Sequence, residues 1–414
     1  MRTLLMIIQY PPDVNSAGII MSQVAGGLQQ RGHQVSVITS FPHYEQFRVW
    51  DEYRSKWAKR TYEKGMDILR VRVFANGKKQ NMGYRLLSYL SFNAMAAAAN
   101  LMRREHYDVI LCTNGSFFTG VAAYVSGGVK QTPFVYNVQD LYPETPVAQG
   151  QLTNRRAIEG LSRIEQFMYR TAQHITVITP SFRENLVREK RVTPAKVSVI
   201  PNFADTEFIR PLPKENAVSE RYGLLDKFVV MYAGNLGYVY HIEMLLDAAA
   251  ELRAERDWVF LIVGNGVMRE KLEARASELE LDNVRFMDFI PHAELPYLRA
   301  ASDVQVSLYR PNAARYSMPS KLYEIMASGR SVLASAEAGS DVAKLIAETQ
   351  CGICVEPQNG EQLVNALREL QRDSARRAQM AANGRTAAEE RFSLEPVVKQ
   401  YDVLLRRVAN ASRN

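Results

Sequence analysis

The sequence has few of the residues that hold small extracellular domains together. Only three cysteines, Cys112, Cys351 and Cys354, stand among 414 residues, too few for a disulfide framework. The pair Cys351-Gly-Ile-Cys354 has no second ligand pair and no thioredoxin-like context. We therefore interpret these two residues as core cysteines beside a strand rather than as a metal or redox site. Such cysteine usage predicts a reducing, cytoplasmic compartment.

Long hydrophobic runs are also missing. The first residues, MRTLLMIIQYPP, contain an apolar run too short for a secretory signal and predict a first strand. The longest helical apolar segment, Ala94–Met102, is bounded by Arg103 and Arg104 and is too short to span a bilayer. We expect a soluble, cytoplasmic protein, and peripheral contact with the inner face of the cell membrane stays open.

The charge is uneven along the chain. The formal net charge is +7, and residues 1–210 hold 26 Lys and Arg against 16 Asp and Glu, whereas the remaining residues hold 25 against 28. This asymmetry predicts that the first half meets an anionic partner. No helix-turn-helix, zinc-finger or RNP-type pattern accompanies the charge, so nucleic acid is disfavoured. An anionic membrane surface fits the charge equally well.

Short apolar runs alternate with helical patterns along the chain, and this alternation predicts parallel sheets covered by helices on both faces. The fold class is therefore α/β, with two doubly wound Rossmann-like domains and a cleft between them. We expect an amino-terminal domain over 1–210, a linker at Arg210–Ser219, a carboxyl-terminal domain over 220–390 and a final helix over 391–414 that returns to the first domain. The predicted strands are Thr3–Ile8, Gln34–Thr39, Ile68–Phe74, Val109–Cys112, Phe134–Asn137, His174–Ile178, Val197–Ile200, Phe228–Ala233, Val259–Val263, Val284–Met287, Val304–Ser307, Val332–Ala334 and Gly352–Val355.

Small residues follow several of the predicted strands. The loop YPPDVNSAGII ends in Ser16-Ala17-Gly18, and Gly234-Asn235-Leu236-Gly237 and Gly264-Asn265-Gly266 follow later strands. Such loops let backbone N–H groups approach an anion at the start of a helix, although plain tight turns would look the same. The GxGxxG fingerprint is absent, which disfavours a dinucleotide cofactor.

Two carboxylates follow the strand Phe134–Asn137. Asp140 and Glu144 stand at its carboxyl end, where a carboxylate is costly to bury without a partner. Either side chain could orient an acceptor hydroxyl or accept its proton. Glu144 could equally be a solvated residue in the first turn of a helix.

The stretch RYSMPSKLYEIMASGRSV predicts a short helix that begins at Pro319 and ends at Gly329. Lys321 lies in its first turn, where the helix dipole disfavours a cation. A phosphate bound at the helix start would reverse that penalty, and Glu324 would then accept hydrogen bonds from the hydroxyls of an attached ribose. The alternative is an ordinary Lys–Glu pair on the helix surface.

These motifs together resemble a known family. The segments RGHQVSVIT, VIPNFADTEFI, YAGNLG, VGNGVMREKLE and PSKLYEIMASGRSVLAS resemble the retaining glycosyltransferase family 4. The QDLYPE and PSKLYE stretches look like its branch that builds bacterial surface polysaccharides and exopolysaccharides. The resemblance covers nearly the whole chain and implies the GT-B fold, with the donor nucleotide in the carboxyl-terminal domain and the acceptor on the amino-terminal one.

The resemblance also implies roles for individual residues. Glu324 matches the second glutamate of the family's Glu-x7-Glu motif, which holds the ribose. Gly264 matches a nucleotide-contacting turn, and Gly18 matches a loop that closes on the diphosphate. The loop whose backbone faces the donor sugar and diphosphate comprises Ser317, Met318 and Pro319, and we add Ser320.

The sequence departs from the family pattern at several positions. The first glutamate of Glu-x7-Glu is Tyr316, and the usual arginine and lysine after the glycine loop are Asn235 and Tyr240. Gln139 stands where many members have histidine. The leaving diphosphate must still be neutralised, so we predict that Lys321 does this, with Arg315 and Arg310 in reserve.

The mechanism implied is metal-independent transfer with retention, in which a leaving diphosphate oxygen assists deprotonation of the acceptor. We predict no cofactor and no metal, a nucleotide-sugar donor with UDP favoured, a hexosyl group and a lipid-linked glycan acceptor. Two alternatives remain open: a GDP-sugar-dependent transferase, and a non-catalytic subunit that binds a nucleotide-sugar or glycan.

The segment His43–Lys64 mixes aromatic residues with cations. A helix there would place Phe47, Trp50, Tyr53 and Trp57 on one face, which is typical of an interfacial segment. Packing of these aromatics on their own domain is the alternative. We expect this segment to contact an anionic membrane.

Overall fold

The computed structural model describes residues 1–13, 15–78, 81–116, 118–148, 150, 152–255, 257–313, 318 and 320–412. The chain divides into two compact units. Unit 1 comprises Met1–Pro143, Leu152–Asn202 and Leu394–Asn414, and unit 2 comprises Glu144–Gln151 and Phe203–Ser393. The carboxyl-terminal segment therefore belongs to unit 1.

Strands and helices alternate through both units. The strands are β1 (Arg2–Met6), β2 (Gln34–Ser40), β3 (Ala58–Glu63), β4 (Met66–Val71), β5 (Val109–Thr113), β6 (Phe134–Val138), β7 (His174–Val177), β8 (Val197–Val199), β9 (Phe228–Ala233), β10 (Trp258–Val263), β11 (Val284–Met287), β12 (Val304–Leu308), β13 (Ser331–Ser335) and β14 (Gly352–Val355). The helices are α1 (Ser16–Gln30), α2 (Met82–Met102), α3 (Thr119–Val129), α4 (Glu144–Ala148), α5 (Arg155–Thr171), α6 (Pro180–Arg188), α7 (Ala217–Arg221), α8 (Ile242–Glu251), α9 (Arg269–Glu278), α10 (Leu295–Ala300), α11 (Ser320–Ala327), α12 (Asp341–Thr349), α13 (Gly360–Arg372), α14 (Ser374–Arg391) and α15 (Leu394–Ala411).

The sheet of unit 1 is parallel except at one edge. Its strands, in the described part of the chain, follow the order β3-β4-β2-β1-β5-β6-β7-β8, and β3 pairs antiparallel with β4. The sequence prediction missed β3 because its residues, AKRTYE, are polar and mostly exposed. Each predicted apolar run overlaps a strand, which confirms the α/β fold class.

The sheet of unit 2 is parallel in all its pairings among described residues, in the order β11-β10-β9-β12-β13-β14. Alternate residues of β10 pack on opposite faces. Trp258 and Phe260 lie in one hydrophobic cluster, and Val259 and Leu261 lie in another. Burial on both faces explains why these strands appear in the sequence as continuous apolar runs.

The stretch Arg210–Ser219, predicted to be a linker, lies within unit 2. Lys214 donates from Nζ to a carboxylate oxygen of Asp303 at 2.5 Å. The Asn216 side chain caps α7 by accepting from the backbone N–H groups of Val218 and Ser219. These contacts hold the stretch to unit 2 although its prolines and mixed charge resemble a linker.

The aromatic segment His43–Lys64 does not form the single helix that we considered. It contains a 3-10 turn over Asp51–Tyr53 and then β3. Phe47 and Tyr53 are buried, whereas Trp50 and Trp57 are exposed. Cross-strand pairing fixes the backbone here, so the four aromatics do not share a face. No helix in the described residues is both long and apolar enough to cross a membrane.

Helix α15 packs closely on α1 within unit 1. A Cβ atom built on Gly27 would lie 2.6 Å from Cγ2 of Val398, so only glycine allows this approach. The amide Nδ2 of Asn137 donates to the Tyr401 hydroxyl at 3.0 Å, and both residues are buried. A small residue on α1 and a buried hydrogen bond thus hold the last helix in place.

This contact predicts opposite effects for two adjacent glycines of α1. Gly27→Ala should destabilise the protein, because overpacking against a stiff valine costs about 1–3 kcal/mol. Gly26→Ala is the matched control, since nothing lies within 4 Å of its Cβ position, and it should stabilise the helix by up to about 1 kcal/mol. Denaturant unfolding of both variants measures this. Equal stabilities would show that α15 does not pack on Gly27.

Candidate functional site

The central strands of unit 2 end at two glycine loops. Strand β9 pairs with both β10 and β12, so the segments after these strands lie at the same edge, where α/β sheets bind ligands. Gly234 and Gly264 have φ angles of 147° and 137°. A Cβ atom on Gly264 would lie 1.9 Å from the carbonyl oxygen of Gly234. The two loops therefore touch backbone to backbone, which no other residue would allow.

The resemblance matched Gly264 to a turn that contacts the nucleotide. In the structure its N–H donates to the carbonyl of Met287 at 2.9 Å, and the N–H of Gly234 donates to Val263 at 2.9 Å. Both N–H groups thus complete the sheet edge. Gly264 shapes the loop by permitting close approach, and its own N–H is already used.

Helix α11 presents Lys321 to the first glycine loop. Its Nζ donates to the Tyr232 hydroxyl at 2.8 Å and lies 3.4 Å from the centre of the Tyr240 ring. A Cβ atom on Gly234 would stand 3.1 Å from the same Nζ. A cation over an aromatic face is held by the ring quadrupole. The amino group therefore rests between a phenol and a glycine, at the carboxyl edge of the sheet.

This setting changes the acidity of the lysine. Burial lowers the pKa of the Lys321 amino group well below its usual value, and the charge of Arg299 lowers it further, while Glu324 opposes the shift. Burial also raises the pKa of the Tyr232 hydroxyl, so its neutral oxygen accepts the hydrogen bond. An anion brought to this edge would raise the pKa of the amine back toward its usual value.

Glu324 lies one turn beyond Lys321 on α11 but binds another partner. Its carboxylate pairs with the guanidinium of Arg299, whose Nη1 donates to Oε1 of Gln305 at 2.7 Å. The Arg299 side chain is buried, and Glu324 is about one-third exposed. The Lys–Glu surface pair considered as an alternative is therefore absent from the described residues, and Glu324 is fixed with part of its carboxylate accessible.

The helix prediction for this stretch is confirmed in its main features. Helix α11 covers Ser320–Ala327, and Gly329 follows with a left-handed φ of 61°. Leu322, Ile325 and Met326 are buried, as their spacing predicted. Met318 is buried too, and Ser320 is the first helical residue. The candidate residues Arg315, Tyr316, Ser317 and Pro319 lie outside the described residues.

Arg310, the proposed reserve cation, is engaged elsewhere. Its Nη2 donates to both carboxylate oxygens of Glu243 at 2.7 and 2.8 Å, and its Nε donates to the Tyr238 carbonyl. Asn235 is exposed, and its carbonyl accepts from the Tyr232 hydroxyl at 2.7 Å. Of the two basic candidates in the described part of this edge, only Lys321 faces the glycine loop.

Unit 1 places other candidates at the carboxyl edge of its own sheet. The N–H of Gly18 donates to the Asn15 side chain at 3.1 Å and so caps α1. A Cβ atom on Gly18 would lie 2.7 Å from the Gln9 carbonyl oxygen. Gly18 therefore lets α1 start close against the loop after β1, and its N–H is used by the cap.

Gln139 is held in a network of amides. Its Nε2 donates to Asn137 at 2.7 Å, and its Oε1 accepts from Asn202 at 2.9 Å. The side chain is buried and cannot act as a base. The Gln139 side chain fixes the end of β6, next to the candidate catalytic residue Asp140.

Asp140 is half-buried at the end of β6, and burial raises its pKa to about 6. No hydrogen bond or ion pair to its carboxylate is found within the described residues, while its backbone carbonyl accepts from Asn114 at 2.6 Å. Glu144 begins α4, which belongs to unit 2. A carboxylate with a pKa of about 6 is ionised near neutral pH and can accept a hydrogen bond from an acceptor hydroxyl, so Asp140 is a candidate for that role.

Three arginines surround a cavity of about 550 Å³ that lies beyond the end of β4 in unit 1. Arg48, Arg54 and Arg72 line it, and the Arg72 guanidinium stacks on Trp57 at 5.1 Å. Such a lining suits an anionic ligand.

A second cavity, of about 580 Å³, lies in unit 2 at the amino ends of β12 and β13, beside Asp303 and Gly329. This is the opposite edge of the sheet from Lys321.

Sequence reasoning missed Tyr232 and Arg299. Tyr232 is the penultimate residue of a buried strand, where the pattern predicts only apolar packing. Arg299 is a buried arginine on α10, 25 positions before its partner Glu324, and no periodicity links the two.

In the residues described, no group of three or more His, Cys, Asp or Glu is placed to hold a metal ion.

Two family models match the chain. Residues 17–208 match the model described as Glycosyltransferase Family 4, and residues 216–387 match the model described as Glycosyl transferases group 1. A curated relative is the "Putative colanic acid biosynthesis glycosyl transferase WcaI" of Escherichia coli (strain K12), with 27% identity over 379 residues, 89% of this chain and 92% of that protein.

Solved structures share the fold. Sucrose-phosphate synthase from Thermosynechococcus elongatus superposes with a TM-score of 0.76 at 20% identity, covering 99% of both chains. HepE from Anabaena in complex with UDP-glucose gives 0.72 at 16% identity, covering 98% of this chain and 100% of that one. The chain therefore belongs to glycosyltransferase family 4, and its two α/β units are those of the GT-B fold.

Proposed function

We propose that this glycosyltransferase moves a hexosyl group from a nucleotide-sugar, with UDP as the favoured nucleotide, to a lipid-linked polysaccharide repeat unit. Transfer proceeds with retention and without a metal or other cofactor. The name of the relative WcaI, which refers to colanic acid biosynthesis, supports a polysaccharide product. The complex of the structural neighbour HepE with UDP-glucose supports a UDP-sugar donor.

The observation that carries the donor site is the position of Lys321. Its amino group lies against Gly234, at the edge where the resemblance places the donor diphosphate, and over the ring of Tyr240. The resemblance would put a lysine at position 240. We infer that Lys321 supplies the missing cation from helix α11. Glu324, held by Arg299, accepts hydrogen bonds from the ribose hydroxyls through its exposed part.

The proposed chemistry depends on stabilising the leaving diphosphate. Charge grows on the β-phosphate as the glycosidic bond breaks, and a cation that is fixed in a poorly solvated site stabilises this charge strongly. The acceptor hydroxyl attacks from the same face as the leaving group, and a leaving diphosphate oxygen takes its proton. Asp140, with Glu144 as the second candidate, orients the hydroxyl by accepting its hydrogen bond.

The acceptor assignment rests on unit 1. A lipid-linked acceptor carries phosphate next to its first sugar, and the cavity lined by Arg48, Arg54 and Arg72 supports such an anion. Asp140 lies at the carboxyl edge of the same sheet. These features support a negatively charged, hydroxyl-bearing acceptor on this unit.

A panel of UDP-, GDP- and ADP-sugars tests the function directly. We expect a UDP-sugar to give the largest thermal shift and to release UDP when membrane lipid extract supplies the acceptor. Release should continue in EDTA. Preference for a GDP-sugar would identify the alternative donor, and binding without any release of nucleoside diphosphate would favour the non-catalytic subunit.

Glu324 should discriminate ribose from deoxyribose. We expect the wild-type protein to bind UDP more tightly than 2′-deoxy-UDP, by about 1.5–3 kcal/mol, the scale of a charge-assisted hydrogen bond. Glu324→Ala should bind the two ligands equally. Calorimetry measures all four affinities. Because the two ligands are compared on the same protein, a general loss of stability in the variant does not mimic the result. Undiminished discrimination would remove Glu324 from the site.

Lys321→Met should lower kcat more than it raises KM for the donor, because the charge on the diphosphate increases in the transition state. The double variant Lys321→Met, Tyr240→Lys should recover part of kcat, since position 240 is where the resemblance expects the cation. Steady-state kinetics with the preferred donor measures both. A change in KM alone, without rescue, would place the catalytic cation elsewhere.

Asp140 should set the acid limb of the pH profile. A carboxyl whose pKa is raised to about 6 is protonated below that pH, and the ionised carboxylate is the form that accepts a strong hydrogen bond from the acceptor hydroxyl. We therefore expect kcat/KM for the acceptor to fall as pH decreases through about 6. Asp140→Asn should be slow and lack this limb, whereas the exposed control Asp226→Asn should keep it. A limb that survives in Asp140→Asn would contradict the assignment.

A further inference from the structure

Helices α2 and α3 of unit 1 expose an uncharged apolar surface. Helix α2 has no charged residue from Leu86 to Met102, and α3 has none at all. The helices lie side by side, since Asn100 of α2 donates to Ser126 of α3 at 3.0 Å. The large apolar side chains that they expose are Leu86, Leu87, Leu90, Leu101, Met102, Tyr124, Val125 and Val129. We call these residues the α2–α3 face.

The face is distinct from the side of α2 that packs on the sheet. Ser88, Phe92 and Ala96 point inward and are buried, whereas Leu87 and Leu90 are 46% and 44% exposed. Helix α2 therefore has two apolar sides, and only one is needed for the core. Several large apolar side chains exposed on neighbouring helices favour an interaction site on this side of the unit.

A basic band borders the α2–α3 face. The ring of Tyr124 on α3 meets the ring of Phe167 on α5 edge-on, at 5.0 Å, so α5 is the next helix. Its outer side exposes four arginines and one glutamate, Glu159, which pairs with Arg155. The exposed arginines are Arg155, Arg156, Arg163 and Arg170.

We propose that the α2–α3 face and the arginines of α5 form the surface by which this protein lies on an anionic phospholipid bilayer. The occupant follows from charge complementarity. Apolar side chains enter the acyl boundary while neighbouring cations meet acidic headgroups. A second copy of the chain would bring the same positive band, and a neutral apolar partner would leave the arginines without counter-charges. The proposal rests on the proposed function in one respect, because a lipid-linked acceptor brings unit 1 to a membrane.

This surface differs from the one that the sequence suggested. The aromatic segment His43–Lys64 buries Phe47 and Tyr53, and the exposed Trp57 already stacks with Arg72. The α2–α3 face exposes eight large apolar side chains with no charge among them. The two surfaces can therefore be compared in one experiment.

Flotation of the full chain with vesicles tests the proposal. We expect the wild-type protein to float with phosphatidylglycerol vesicles, more weakly at high salt, and not with phosphatidylcholine vesicles. The variant Leu87→Glu, Leu90→Glu should lose about tenfold or more in vesicle affinity, because two apolar anchors become anions. Arg156→Gln, Arg163→Gln should bind more weakly with a smaller salt dependence. Val403→Glu is the matched control, since Val403 is 61% exposed on α15, and it should bind as the wild type does.

Three outcomes would overturn the proposal. One is undiminished flotation of Leu87→Glu, Leu90→Glu; another is loss of flotation in Trp57→Ala alone, which would identify the aromatic segment. The third is a wild-type dimer that fails to float and that Leu87→Glu, Leu90→Glu dissociates. Circular dichroism and UDP affinity of each variant, measured without vesicles, show whether it folds. Flotation without nucleotide binding would overturn the proposed function alone, and nucleotide binding without flotation would overturn only this surface.

Discussion

The amino group of Lys321 is packed between the Tyr232 hydroxyl, the Tyr240 ring and Gly234, and the proposed activity depends on this contact. A charged amino group buried there loses its hydration, and only the hydroxyl dipole and the aromatic ring compensate for that loss. Its lowered pKa reflects that loss. We propose that a diphosphate at the same edge supplies an anion to this amine, and that their attraction contributes to donor binding and to transition-state stabilisation.

The surrounding backbone makes this arrangement possible. Gly264 touches the carbonyl of Gly234, so a side chain at Gly264 would push the two loops apart, whereas one at Gly234 would crowd the Lys321 amino group. Arg299 holds Glu324 on the next turn of α11 and, through its charge, also lowers the pKa of Lys321. The Lys321 side chain, the two loops and the Glu324 carboxylate are therefore fixed by contacts within the protein, which is the condition for the electrostatic stabilisation that we propose.

The sequence predicted the fold well because its strands are buried on both faces and appear as apolar runs. The prediction missed β3, whose polar residues pair at the edge of the sheet. It also assigned Arg210–Ser219 as a linker, although Lys214 and Asn216 hold that stretch to unit 2. The stripe on α11 and its terminal glycine were also predictable from local rules. The partners of Lys321 and Glu324 were not, because Tyr232 and Arg299 are distant in sequence and meet them only in the folded sheet. The N–H of Gly264 likewise has a partner distant in sequence, the carbonyl of Met287, whereas the N–H of Gly18 is used by the local cap at Asn15.

The central claim is that the pKa of the Lys321 amino group rises when the donor diphosphate binds. Calorimetry of the preferred nucleotide-sugar in buffers of different ionisation enthalpy measures the protons exchanged on binding. We predict proton uptake at mildly alkaline pH in the wild-type protein, because an anion raises the pKa of an amine that burial has lowered, and no uptake in Lys321→Met. Binding without proton uptake at every pH tested, or the same uptake in Lys321→Met, would contradict the account.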